Sequence, residues 1–108
     1  MSCDFRSLYC GDNGYVVRCM QCNHYQIAFL STMLTLKEQE FKGFCQQVRY
    51  KAEECLGNAN PRSKIIMIGT PSQSVHLILT TTELKQLHQI LEEADCEMRT
   101  LELLELFK

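Results

Sequence analysis

The sequence lacks any run near the roughly 18 consecutive apolar residues of a membrane span. It also lacks an excess of either charge: 11 Lys and Arg stand against 13 Asp and Glu, for a net charge of −2. That near-balance argues against capture of bulk nucleic acid or an anionic bilayer by charge alone. Met1 to Arg18 has neither the basic start nor the long apolar stretch of a secretory leader, so a cytoplasmic protein is expected. There is no nucleophile elbow, Walker loop, Rossmann glycine pattern or HExxH pair. No catalytic residue and no cofactor-binding residue is assigned on these grounds.

What is present is an ordinary globular mixture. Of 108 residues, 45% are hydrophobic and 22% charged, which suits one domain over residues 1–108 with a single modest core. Seven cysteines are many for this length, and the odd number rules out a complete intrachain disulfide set. Reduced thiols in the cytoplasm are the expectation. Four of them, Cys3, Cys10, Cys19 and Cys22, lie in the first 22 residues. Cys45, Cys55 and Cys96 fall singly in helical stretches, where a free thiol acts as a small buried apolar group.

The chain reads as hairpins alternating with helices. Phe5–Cys10 and Tyr15–Cys19 flank Gly11-Asp12-Asn13-Gly14, a hairpin signal. His24–Leu30 and Met33–Leu36 are further extended runs. Thr35 stands three residues before Glu38, the spacing of a capping box, and Phe41, Phe44, Val48, Ala52, Cys55 and Leu56 then form one apolar helical stripe. Gly57 is placed to end that helix. Lys64–Ile68 and Val75–Leu79 form a second hairpin around Gly69–Ser74. A second box, Thr80 with Glu83, opens a helix whose stripe is Leu84, Leu87, Leu91, Ala94, Met98 and Leu101. After Asp95 the Leu-Glu-Leu steps also suit a strand. The helix stripes of the two halves match at an offset of 43 residues, and the two capping boxes at 45.

The expected fold is therefore α+β: a small antiparallel sheet built from hairpins, with two helices packed on one face. The runs Ile65–Ile68 and Leu77–Leu79 do not alternate, so both faces are expected to be covered, by the domain itself or by a second chain. A symmetric homodimer is the simplest such cover.

The chemical lead is Cys19-x-x-Cys22, which can chelate one tetrahedral metal from a single turn. A structural zinc site needs two more ligands, and Cys3, Cys10 and His24 are the candidates. Thiol–disulfide chemistry at Cys19 or Cys22 would need a helix N-terminus beside the thiol, and a strand-like run follows instead. His24, His76 and His88 are scattered over separate elements. Glu92, Glu93, Asp95 and Glu97 read as a solvated helix face. Tyr9, Tyr15, Tyr25 and Phe29, with Arg6 and Arg18 nearby, could make a stacking platform, but no ribonucleoprotein motif accompanies them.

The run Arg18-Cys19-x-x-Cys22-x-x-x-Gln26-x-Ala28-Phe29, followed by Thr32-x-Leu34-Thr35-Leu36, resembles a family of short uncharacterised bacterial proteins. The resemblance implies a bacterial cytoplasmic protein and no catalytic residue. The expected role is a small non-catalytic binding or interaction module, homodimeric. The alternatives are a zinc-stabilised module and a thiol-dependent enzyme.

Overall fold

The computed structural model describes residues 4–54 and 66–107. Cys3, Cys55, Leu56, Gly57, Lys64 and Ile65, all named above, lie outside the described residues. The elements run β1 (Phe5–Gly11), β2 (Gly14–Cys19), β3 (Tyr25–Phe29), β4 (Thr32–Leu36), α1 (Glu38–Glu54), β5 (Ile66–Gly69), β6 (His76–Leu79) and α2 (Thr81–Leu106). This is the α+β class expected. Among the described residues the strands form two antiparallel sheets, β1-β2-β3-β4 and β5-β6, the second hairpin pairing only with itself. The chain divides into two compact units, Met1–Glu38 with Ile90–Lys108, and Gln39–Gln89.

In the first unit the four strands form a meander. Register places directly paired residues on one face, and Gly14↔Phe29, Val16↔Ile27, Arg18↔Tyr25, Tyr25↔Leu36 and Ile27↔Leu34 trace it across the sheet. Val16, Tyr25, Ile27, Phe29 and Leu36 are all buried on that face. Each such side chain contributes about 1.5–3 kcal/mol on removal from water. Ile90, Leu91, Ala94 and Met98, from the part of α2 in this unit, are buried as well. Leu8 is the extra residue of a β-bulge between Ser7 and Tyr9, and it too is buried.

Each turn of the meander has its own device. At Gly14 a Cβ would collide with the carbonyl oxygen of Ala28, so β2 and β3 approach there as only glycine permits. Leu30-Ser31 links the paired residues Phe29 and Thr32, with Leu30 at a φ of 55°. In the link from β2 to β3, Asn23 N–H donates to the Cys19 carbonyl at 2.9 Å, and Cys19 N–H donates to the His24 carbonyl at 2.8 Å. Asn23 sits at a φ of 58°, a left-handed conformation that asparagine tolerates.

In the second unit α1 buries Phe41, Phe44, Val48 and Ala52, the stripe expected. Its start differs from expectation. Thr35 is a strand residue paired with Gln26, and Glu38 opens the helix, so the first capping box does not form. The meander keeps Thr35 in its ladder, and the 45-residue match between caps has no structural counterpart. The second box does form: Thr80 Oγ1 accepts from Glu83 N–H at 3.1 Å, and Glu83 Oε1 accepts from Thr80 N–H at 2.9 Å. From there α2 runs unbroken to Leu106, so the residues after Asp95 are helical.

In the β5–β6 hairpin the described residues do not cover both faces. Ile66, Ile68, Leu77 and Leu79 are buried, but the cross-strand partners Met67 and Ile78 are 58% and 57% exposed. Among the described residues the hairpin is covered on one face only. Gln47 of α1 grips one of its ends. Its Nε2 donates to the Gly69 carbonyl at 3.0 Å and its Oε1 accepts from Gly69 N–H at 2.8 Å.

Candidate binding site

The buried face of the four-stranded sheet ends in a charge. Arg18 follows Val16 at the two-residue period of that face, and its partner on β3 is Tyr25. Its partner on β1 is Arg6. Two like charges directly opposite each other destabilise a sheet by a few tenths to about 1 kcal/mol. Neither arginine forms an ion pair with a described residue.

The Arg18 guanidinium is held from three sides. Nη2 donates to Asn23 Oδ1 at 2.9 Å, so the left-handed turn residue doubles as its positioning group. The Tyr25 ring lies beneath it, 5.5 Å from guanidinium carbon to ring centroid, a cation–π contact. Nη1 points at Met98 Sδ at 3.1 Å. A thioether is a weak acceptor, so this donor is poorly satisfied. Nε is closed off from solvent and has no hydrogen-bond partner. A buried donor left in this state costs about 1–3 kcal/mol.

These two arginines form one wall of a cavity of about 130 Å³. Met20, Met98, Leu101 and Leu104 give it an apolar lining, and Glu102 and Glu105 complete it. All of these residues belong to the first unit. Both glutamates are exposed. The site therefore offers guanidinium donors, an apolar wall and carboxylates at its rim. Among the described residues its lining has neither a thiol or hydroxyl side chain nor a histidine.

The cysteine lead resolves differently. Cys19 is buried at the end of β2, and Cys22 and Cys10 are exposed. Cys22 N–H lies 3.5 Å from Cys19 Sγ, so the Cys-x-x-Cys turn is compact. Cys10, however, pairs with Tyr15, while Cys19 pairs with Phe5 at the other end of the same ladder. Four residue steps along β2 lead from Tyr15 to Cys19, about 13 Å at the usual rise. Cys10 and Cys19 cannot share one tetrahedral ion. His24 is half-buried and follows Cys22 within the same link, and Cys3 lies outside the described residues. Among the described residues, no three His, Cys, Asp or Glu side chains are grouped to hold a metal.

The other singled-out residues fall as follows. Cys45 is half-buried and Cys96 is exposed, which corrects the expectation of a buried thiol at 96: that position lies off the Leu91–Ala94–Met98 stripe. His76 is exposed and His88 half-buried. On the acidic face Glu92, Glu93 and Glu97 are exposed, and Asp95 pairs with Arg99 at 3.0 Å. The four aromatics form no platform, because Tyr25 and Phe29 are buried on one face and Tyr15 stands on the other. The cleft itself was legible only as one anomaly, a charge at Arg18 within an apolar alternation.

Residues 1–107 match the model of a family of unknown function, DUF6686. The chain belongs to that family. Membership extends the resemblance read from residues 18–36 over essentially the whole chain. No curated protein and no solved structure matches it. Among the described residues, no helix is long and apolar enough to cross a membrane.

Proposed function

We propose that this DUF6686 chain is a small non-catalytic binding module, and that its ligand places an anionic group against Arg6 and Arg18. The observation that supports this is the arginine pair itself. Two guanidinium groups stand opposite each other across β1 and β2 beside a cavity, with no acidic partner for either among the described residues. An anion would relieve the repulsion and replace the weak Met98 acceptor with a strong one. The expected setting is the cytoplasm, which suits seven cysteines that cannot all pair.

The test is thermal unfolding in acetate against chloride at constant ionic strength. Acetate should raise the melting temperature of the wild type and leave Arg6→Gln unmoved. Without acetate, Arg6→Gln should melt at or above the wild-type temperature, because one of two opposed charges is gone. An equal acetate response in both proteins would remove the arginine pair from the site.

A homodimer is the second reading, supported by the exposed Met67–Ile78 pair on the hairpin. An apolar cross-strand pair can meet its own copy about a two-fold axis, which makes it self-complementary. Light scattering over a concentration series should give twice the chain mass for the wild type and the chain mass for Ile78→Lys. A wild-type monomer at every concentration would end this reading.

A further inference from the structure

We infer that the cleft headed by Arg18 is built for a small zwitterion with an apolar side chain, that is, an aliphatic α-amino acid. This rests on the anion-binding reading above and adds the two halves of the ligand that the anion alone does not explain. The cavity lining carries two arginines and two glutamates, so its formal charge balances. A plain anion would be drawn to Arg6 and Arg18 and repelled by Glu102 and Glu105. A ligand with a carboxylate and an ammonium group satisfies both sets.

The arginines belong to β1 and β2 and the glutamates to the exposed last turns of α2. Neither arginine is close enough to either glutamate for an ion pair, so Arg6, Arg18 and Glu102 have no counter-charge among the described residues. Glu102 is the acceptor assigned to the ammonium group; Glu105 already has another interaction.

The remaining lining selects the side chain. Met20, Met98, Leu101 and Leu104 are unbranched or γ-branched and adaptable, with no polar group to pair with a hydroxyl or amide. At about 130 Å³ the cavity is close in size to the apolar cavity of about 150 Å³ that holds benzene. That room suits a side chain of about four carbons with the charged head at the mouth. The donors that would receive the carboxylate are the remaining N–H groups of Arg18 and the exposed guanidinium of Arg6. Asn23 and the Tyr25 ring keep Arg18 aimed.

The experiment is calorimetric titration of the full chain at fixed ionic strength with four probes. L-leucine has all three features. 4-Methylpentanoate lacks the ammonium group, 3-methylbutylamine lacks the carboxylate, and glycine lacks the side chain. Leucine should bind at least about tenfold tighter than each of the others, the ratio expected when one charge-assisted contact or one buried aliphatic group is removed. Glu102→Gln, at an exposed position, should weaken leucine about fivefold or more and leave 4-methylpentanoate unchanged. Arg6→Gln should weaken both. If 4-methylpentanoate binds as tightly as leucine, the zwitterion assignment falls and the anion reading stands. If glycine matches leucine, the apolar wall is not part of the site and the assignment falls. If neither leucine nor 4-methylpentanoate binds and acetate does not stabilise the protein, both readings fall together.

Discussion

One substitution, glycine to alanine, should move stability in opposite directions at two positions of this chain. At Gly14, β2 passes β3 so closely that an added Cβ meets the Ala28 carbonyl oxygen, an atom of the sheet backbone that cannot swing aside. The residue also pairs with Gly11 on β1, so it is held in the ladder from both sides. Overpacking of this kind costs about 1–3 kcal/mol, and the positive φ of 158° adds to it, so a loss of about 2–4 kcal/mol is expected. Gly43 is the counterpart. It lies exposed inside α1, and beyond its own helix backbone and chain neighbours a Cβ there would meet nothing within 4 Å. Alanine should stabilise the chain by about 0.5–1 kcal/mol by restricting the unfolded backbone and favouring the helix. For a domain of about this size each kcal/mol shifts the melting temperature by about 4–8 °C. Gly14→Ala should therefore melt roughly 10–20 °C lower and Gly43→Ala a few degrees higher. Urea titration should show the same order in midpoint with unchanged slope. If Gly14→Ala loses less than about 1 kcal/mol, or if both variants move the same way, the close approach of β2 and β3 is wrong.

The remaining predictions concern single contacts. Thr80→Ala removes one arm of the capping box and leaves Glu83 N–H unpaired at a nearly buried site, so a loss of about 1–2 kcal/mol is expected in urea unfolding. Gln47→Ala strips Gly69 of both side-chain contacts and should cost about 1–2 kcal/mol, while Gln47→Glu should cost more, because its carboxylate would face the Gly69 carbonyl with no donor. Hydrogen exchange at Gly69 N–H reads both. Cys19→Ser places a hydroxyl at a fully buried position and should cost about 1–3 kcal/mol, whereas Cys22→Ser at an exposed one should stay within about 0.5 kcal/mol. Equal losses at the two positions, together with unfolding by a chelator, would instead mark the turn as a zinc knuckle.

Much of the fold was legible because its signals are local. The helical stripes Phe41–Phe44–Val48 and Leu84–Leu87–Leu91 and the box at Thr80 depend only on neighbours within a few turns. The hairpin at Gly11–Gly14 is of the same kind. The box at Thr35 failed because its spacing is equally available to a strand residue, and pairing with Gln26 won. Whether the domain itself or a second chain covers the Met67–Ile78 face was not legible, because an unbroken apolar run looks the same in either case. Cys10 and Cys19 are close in sequence only. An antiparallel ladder sends Cys10 to one end and Cys19 to the other, and spacing along the chain does not record that reversal. The cleft depends on residues eighty positions apart, Arg18 and Met98, and no local pattern joins them.

Exposed thiols at Cys10, Cys22 and Cys96 have a consequence for how this molecule behaves outside a reducing environment. Cys10 and Cys22 lie toward opposite ends of the meander, and Cys96 is on α2. Among the described residues each molecule thus carries three exposed thiols, and Cys10 and Cys22 cannot reach each other without moving the backbone. In air, a pair of molecules joined by one bridge between them still has four of these exposed thiols to spare. Growth would be branched and open-ended, as in a trifunctional monomer that polymerises towards a network, and not a closed pair. A ladder of covalent multimers that collapses on adding reductant would report that valency, and a non-covalent two-fold dimer would persist after the ladder is gone.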